Sequence, residues 1–118
     1  MTIYQKIPIQ REDDGELLGF VVQDNAGWDA QTIFGYSIRR TTDRGLAEAI
    51  VREEGLRFLM GVWQYLDKDD QHWHPCVLKE AYENRVIVIR TNATGYQDPE
   101  DAKRVTIHHP SETNLVKG

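Results

Sequence analysis

Arg85-Val86-Ile87-Val88-Ile89-Arg90-Thr91 sets four β-branched residues in an unbroken row between two arginines. Branching at Cβ restricts the side chain in a helix and suits a pleated surface, so the run predicts a strand. Glu83-Asn84 before it predicts a turn, and residues 72–79 predict a partner strand. Asp67-Lys68-Asp69-Asp70 predicts a further turn, entered from a strand expected over 57–66. Downstream, Asn92 to Asp101 is rich in Asn, Gly, Pro and Asp and predicts a loop. Arg104 to His108 predicts a short closing strand with Val105 and Ile107 on one face. Pro110 to Gly118 offers few core residues and predicts a frayed tail.

The first half of the chain reads differently. Ile3, Gln5, Ile7 and Ile9 fall on one face of an extended segment, and Pro8 places that strand at an edge or a bulge. Glu12-Asp13-Asp14-Gly15 and Asp24-Asn25-Ala26-Gly27 are turn signals on either side of an apolar strand, Leu17 to Val22. Trp28 to Ile38 predicts a third strand, with Gly35 as a bulge, which completes an antiparallel meander. A helix is predicted over 42–54. Thr41 or Thr42 would cap it, Asp43 would lie in its first turn, and Leu46, Ala47, Ala49 and Ile50 would form its apolar stripe. Gly55 would lie just past its end.

These elements predict an α+β protein, mostly antiparallel β. A meander-plus-helix submodule would span 1–59, a β submodule 60–110 and a flexible tail 111–118. The chain has 118 residues, of which 40% are apolar and 28% charged, the mix of an ordinary globular protein. No apolar run is long enough to cross a bilayer, and residues 1–20 lack the basic start and apolar core of a signal peptide. A single cysteine makes no internal disulfide, so a reducing, cytoplasmic location is expected. The net charge of −5 disfavours binding to nucleic acid by global charge.

Trp63-x-Tyr65, an acidic turn, Trp73-His74-Pro75-Cys76-Val77-Leu78, a second turn, Arg85-Val86-x-Val88 and a closing Val105-Thr106-Ile107 follow one another in residues 62–107. That succession resembles a small SH3-like barrel of the Tudor kind. His74 departs from the usual aromatic, and Cys76 stands where a small core residue is expected. The preceding segment resembles many small α+β modules, including the arm-type DNA-binding folds of phage integrases.

Four groups of residues carry possible chemistry. His72, His74 and Cys76 alternate along one strand and offer ligand types that suit zinc, with Asp70, His108 or His109 as a fourth. Along a strand those three spread over about 13 Å, so no metal is expected there, and Cys76 reads as a small core residue. Asp67 to Asp70 lacks the glycine and the terminal glutamate of a calcium loop: His72 and Leu78 stand at those positions. Arg39, Arg40 and Arg44, with Arg52 and Arg57, make the one basic region, a candidate contact for phosphate or nucleic acid that nearby acidic residues nearly cancel. Trp63, Tyr65, Trp73 and Tyr82 are candidate partner-binding aromatics. Trp63 and Tyr65 share a face with Trp73 across the hairpin, where they could frame a slot for a cationic ligand.

No catalytic constellation assembles and no cofactor is implied. The leading expectation is a small non-enzymatic adaptor or regulatory module that binds a protein partner. A nucleic-acid-associated protein using the arginine-rich helix face is the alternative, followed by a metal- or thiol-dependent enzyme centred on His72, His74 and Cys76.

Overall fold

The computed structural model describes residues 5–96 and 103–118, which form one α-helix and two antiparallel sheets, an α+β architecture. The chain divides into two compact units, Met1–Leu59 and Met60–Gly118. Among the described residues no helix is long and apolar enough to cross a membrane.

The first unit is a four-stranded meander, in order β1 (Lys6–Gln10), β2 (Leu17–Asp24), β3 (Gly27–Gln31) and β4 (Ser37–Thr41), packed on α1 (Arg44–Glu54). Pro8 lies on the edge strand β1, whose register slips between Ile9 and Gln10. The single strand expected over Trp28 to Ile38 is instead two strands joined by a tight turn. Thr32 closes that turn: its hydroxyl accepts the Tyr36 N–H at 3.0 Å, and its own N–H donates to the Tyr36 carbonyl at 2.9 Å. Gly35 sits in the turn at φ +91, a backbone conformation that side chains disfavour.

Asp43, rather than either threonine, caps α1, accepting the Gly45 N–H at 2.9 Å. Gly55 ends the helix in right-handed geometry. It is needed for room, because a Cβ there would lie 2.5 Å from the Leu18 carbonyl oxygen. Gly19 is equally confined, 2.2 Å from the Gln31 carbonyl oxygen. Ile9, Leu18, Val21, Ala47, Ile50 and Val51 form the core between sheet and helix.

The second unit is a five-stranded sheet in order β8-β7-β6-β5-β9. Its strands are β5 (Trp63–Leu66), β6 (Trp73–Ala81), β7 (Arg85–Arg90), β8 (Arg104–His108) and β9 (Leu115–Lys117). The strand expected over 57–66 begins only at Trp63. Arg57–Leu59 makes a 3₁₀ turn, and Gly61 at φ +89 breaks the extended run. Tyr65 stands opposite His74 and Leu115, Trp63 opposite Cys76, Leu78 opposite Val88, and Val86 opposite Ile107. Directly opposed residues share a face, so these side chains converge on one core. Part of the loop expected over Asn92 to Asp101 lies outside the described residues.

The frayed tail expected from Pro110 is overturned. Leu115 is fully buried, and β9 pairs with β5. The turn before it is pinned by Asn114, whose side-chain oxygen accepts the Ser111 N–H at 2.8 Å. Truncating a core leucine removes its transfer energy and leaves a cavity, so Leu115→Ala should cost about 2–5 kcal/mol in urea unfolding. Wild-type stability of that variant would show that the tail is dispensable.

Candidate functional site

Asp67 follows β5 where the chain turns, yet it is only 5% exposed. Its Oδ1 accepts the Asp69 N–H at 2.7 Å. Its Oδ2 accepts from the Arg90 guanidinium at 2.6 Å and from Lys103 Nζ at 3.4 Å. Arg90 also donates through Nε to the Tyr65 hydroxyl at 2.8 Å, and that hydroxyl points back to Asp67 Oδ2 at 3.5 Å. A buried carboxylate is thus met by two cations, a phenol and a backbone amide, as burial of a charge requires. The Asp69 amide holds the Asp67 carboxyl below the usual carboxylate range, and Lys103 adds to this against the opposing effect of burial. Burial pushes the Tyr65 phenol up.

Asp67 and Lys103 of this cluster line a groove of about 450 Å³. One wall is the β5–β6 turn, with Leu66, Asp67 and Gln71; the other is β8 along its whole length. Consecutive β8 residues line the groove, so it runs along the strand's edge and not over one of its faces. The Arg90 amide donates to the Lys103 carbonyl at 3.1 Å, and the His109 amide donates to the Asn84 carbonyl at 2.7 Å. In an antiparallel pair such bonds fall on every second residue. Lys103, Val105, Ile107 and His109 therefore bond toward β7, while the N–H and C=O of Arg104, Thr106 and His108 point away from it. Among the described residues no strand pairs with that outward edge.

The four aromatics proposed from sequence do not form one surface. Trp63 and Tyr65 do share a face, but both are fully buried and belong to the core. Trp73 stands opposite Leu66, one residue out of phase, and so emerges on the other face at 44% exposure. Tyr82 is exposed at the β6–β7 turn, where the Arg85 guanidinium lies 4.2 Å from its ring centre. The slot framed by Trp63, Tyr65 and Trp73 is therefore absent.

Three of the arginines near the helix are each engaged by an acid. Arg39 meets Glu54 at 3.4 Å, Arg44 meets Glu48 at 3.4 Å, and Arg40 pairs with Asp24. All three pairs are solvent-exposed, where such contacts contribute little stability. They make a salt-bridged face and not a vacant anion site.

His72, His74 and Cys76 do not come together as ligands. His72 lies exposed before β6, while His74 bonds Asp70 Oδ2 through Nε2 at 2.7 Å. Cys76 is fully enclosed in the core. A different trio, Asp67, Asp70 and His74, brings its ligand atoms within 4.8 Å of one another. A cation placed there would compete with Arg90 and Lys103 for Asp67 Oδ2 and would separate His74 Nε2 from Asp70 Oδ2. The geometry suits an internal network better than a metal. The acidic turn expected from the sequence thus holds a buried anchor. Its one visible signal was Arg90, a charge closing an otherwise apolar strand. Nothing in the sequence marked the free edge of β8.

Burial pushes the Cys76 thiol up to about 12. Native labelling by a thiol reagent at mildly alkaline pH should therefore be slow and should accelerate on unfolding. Rapid native labelling would place the thiolate within reach of solvent. The carboxyls of Asp24, Asp67 and Asp70 are held low in the folded chain, by Arg40, the Asp69 amide and the His72 amide respectively. A depressed carboxyl adds stability that is fully present above its unfolded pKa of about 3.9 and is lost as pH falls through the lower, folded value. Unfolding free energy should thus decline below about pH 4, and Asp67→Asn should make that decline shallower. An unchanged acid limb in Asp67→Asn would remove Asp67 from the linkage.

No protein-family model matches this chain, and neither does any curated protein or solved structure.

Proposed function

We propose that this chain is a small non-enzymatic module that works inside the cell by binding a protein partner, and that the groove along β8 is where the partner docks. The observation that carries this reading is the pairing of a sizeable concave site with a strand edge that no strand pairs with among the described residues. The Asp67 cluster supports it by fixing both walls: it ties the β5–β6 turn to the end of β7 and to Lys103, next to β8. The second unit is read as an SH3-like barrel. A β6 bulged between Leu78 and Glu80 supplies curvature, and β9 returns beside β5. The cation-binding use of an aromatic slot is not carried over, because Trp63 and Tyr65 are core residues.

Panning a random twelve-residue peptide library against the full chain tests the proposal. Enriched peptides should shift the backbone amide resonances of Arg104 to His108 and of Asp67 to Gln71. No enrichment, or shifts confined to other residues, would overturn it.

A further inference from the structure

We propose that the occupant of this groove binds as an added β-strand along the free edge of β8, and that it carries acidic residues at alternate positions. The inference rests on the reading above and deepens it. Three residues, Arg104, Thr106 and His108, direct both backbone groups away from β7, and an extended chain laid beside them can take up those bonds. A weak contact from Asn114 Nδ2 to the His108 carbonyl, at 3.5 Å, is the one side-chain claim on that row among the described residues.

The other edges are blunted. β1 carries Pro8, which has no N–H to donate. β9 is only three residues long, and β4 is bulged opposite Ala30. β8 is five residues of regular ladder with a groove beside it.

The side chains choose the partner. Arg104, Thr106 and His108 are exposed on one face of β8, while Val105 and Ile107 face the core side. Residues of an added strand on the outer face meet Arg104 and His108; those on the inner face meet the apolar side of the groove with Val105 and Ile107. The basic groups at the rim are Lys68, Lys103 and Arg104, in a chain of net charge −5. Of the two carboxylates among the described lining residues, Asp67 is already met by Arg90 and Lys103, which leaves Asp69 alone against Lys68 and Arg104. Among the described residues Arg104 has one acidic neighbour, Glu80, at 3.9 Å with both side chains exposed, a contact loose enough to exchange. Carboxylates on the partner's outer face and aliphatic residues on its inner face therefore complement this edge. A second copy of β8 does not, because its own edge brings no carboxylate to answer Arg104.

The probe is a seven-residue peptide alternating glutamate and valine, titrated by fluorescence anisotropy into the full chain. It should bind at least about tenfold tighter than a lysine–valine alternation, and tighter than glutamates and valines arranged in two blocks. N-methylation of every glutamate or of every valine separates the two edges of the peptide. One set should lose at least about tenfold in affinity and the other should stay within about twofold, because only alternate amides face β8. Thr106→Pro removes an outward N–H and leaves the β7 ladder intact, so it should melt near the wild-type temperature and lose at least about tenfold in binding. If that variant melts low, the N-methylated pair decides alone. Equal effects of the two methylated sets, or equal binding of the lysine or block peptides, would overturn the inference. Library peptides that bind the groove while the glutamate–valine peptide does not would sink the inference and leave the docking proposal standing. Failure of both would end the two together.

Discussion

The second unit turns on a buried carboxylate that must be neutralised. Asp67 leaves β5 at the point where the chain reverses, and at 5% exposure its charge cannot rely on water. Arg90 reaches it from the end of β7 and Lys103 from the residue before β8, so one side chain ties together segments far apart in sequence. Tyr65 completes the set by accepting from Arg90. Removing Arg90 would take from the buried Asp67 carboxylate its closest cation, and loss of a buried charge's partner costs more than the intact pair gains over an apolar replacement. That asymmetry fixes where the β5–β6 turn stands relative to β8, and hence the walls of the groove.

Much of the β architecture was legible because it is local. The β-branched run of β7, the acidic turn after β5, the Asp-Asn-Ala-Gly turn and the edge position of Pro8 each depend on residues close in sequence. The failures have a common cause. β9 is three residues long, too short for alternation to register, and it exists because Leu115 reaches Tyr65, fifty positions back along the chain. Thr32 splits the presumed third strand through its hydroxyl and amide, and neither composition nor period reports such a turn.

The aromatics show the limit of face-by-face reading. Alternation correctly puts Trp63 and Tyr65 on one side of β5, but it does not say whether that side is inside. The answer comes from strands that pair later: Cys76, Val86, Val88, Ile107 and Leu115 all bury on that face, so it is the core. Trp73 was placed beside the pair on the assumption of matching phase. The observed register opposes it to Leu66, a shift of one residue, and one residue is enough to send a side chain through to the opposite surface.

An exposed strand edge is a hazard unless something limits what it pairs with. On β1 the limit is Pro8, which removes a donor from any second chain. On β8 the donors and acceptors of Arg104, Thr106 and His108 remain, and the limit lies in side-chain charge. An arginine at one end of a short edge opposes another copy of itself but accepts a carboxylate, so the groups that discourage self-pairing also make the edge selective. The same economy applies at Asp67. By consuming its own negative charge on Arg90 and Lys103, the cluster leaves Arg104 as the least committed cation on the wall where β8 faces the groove.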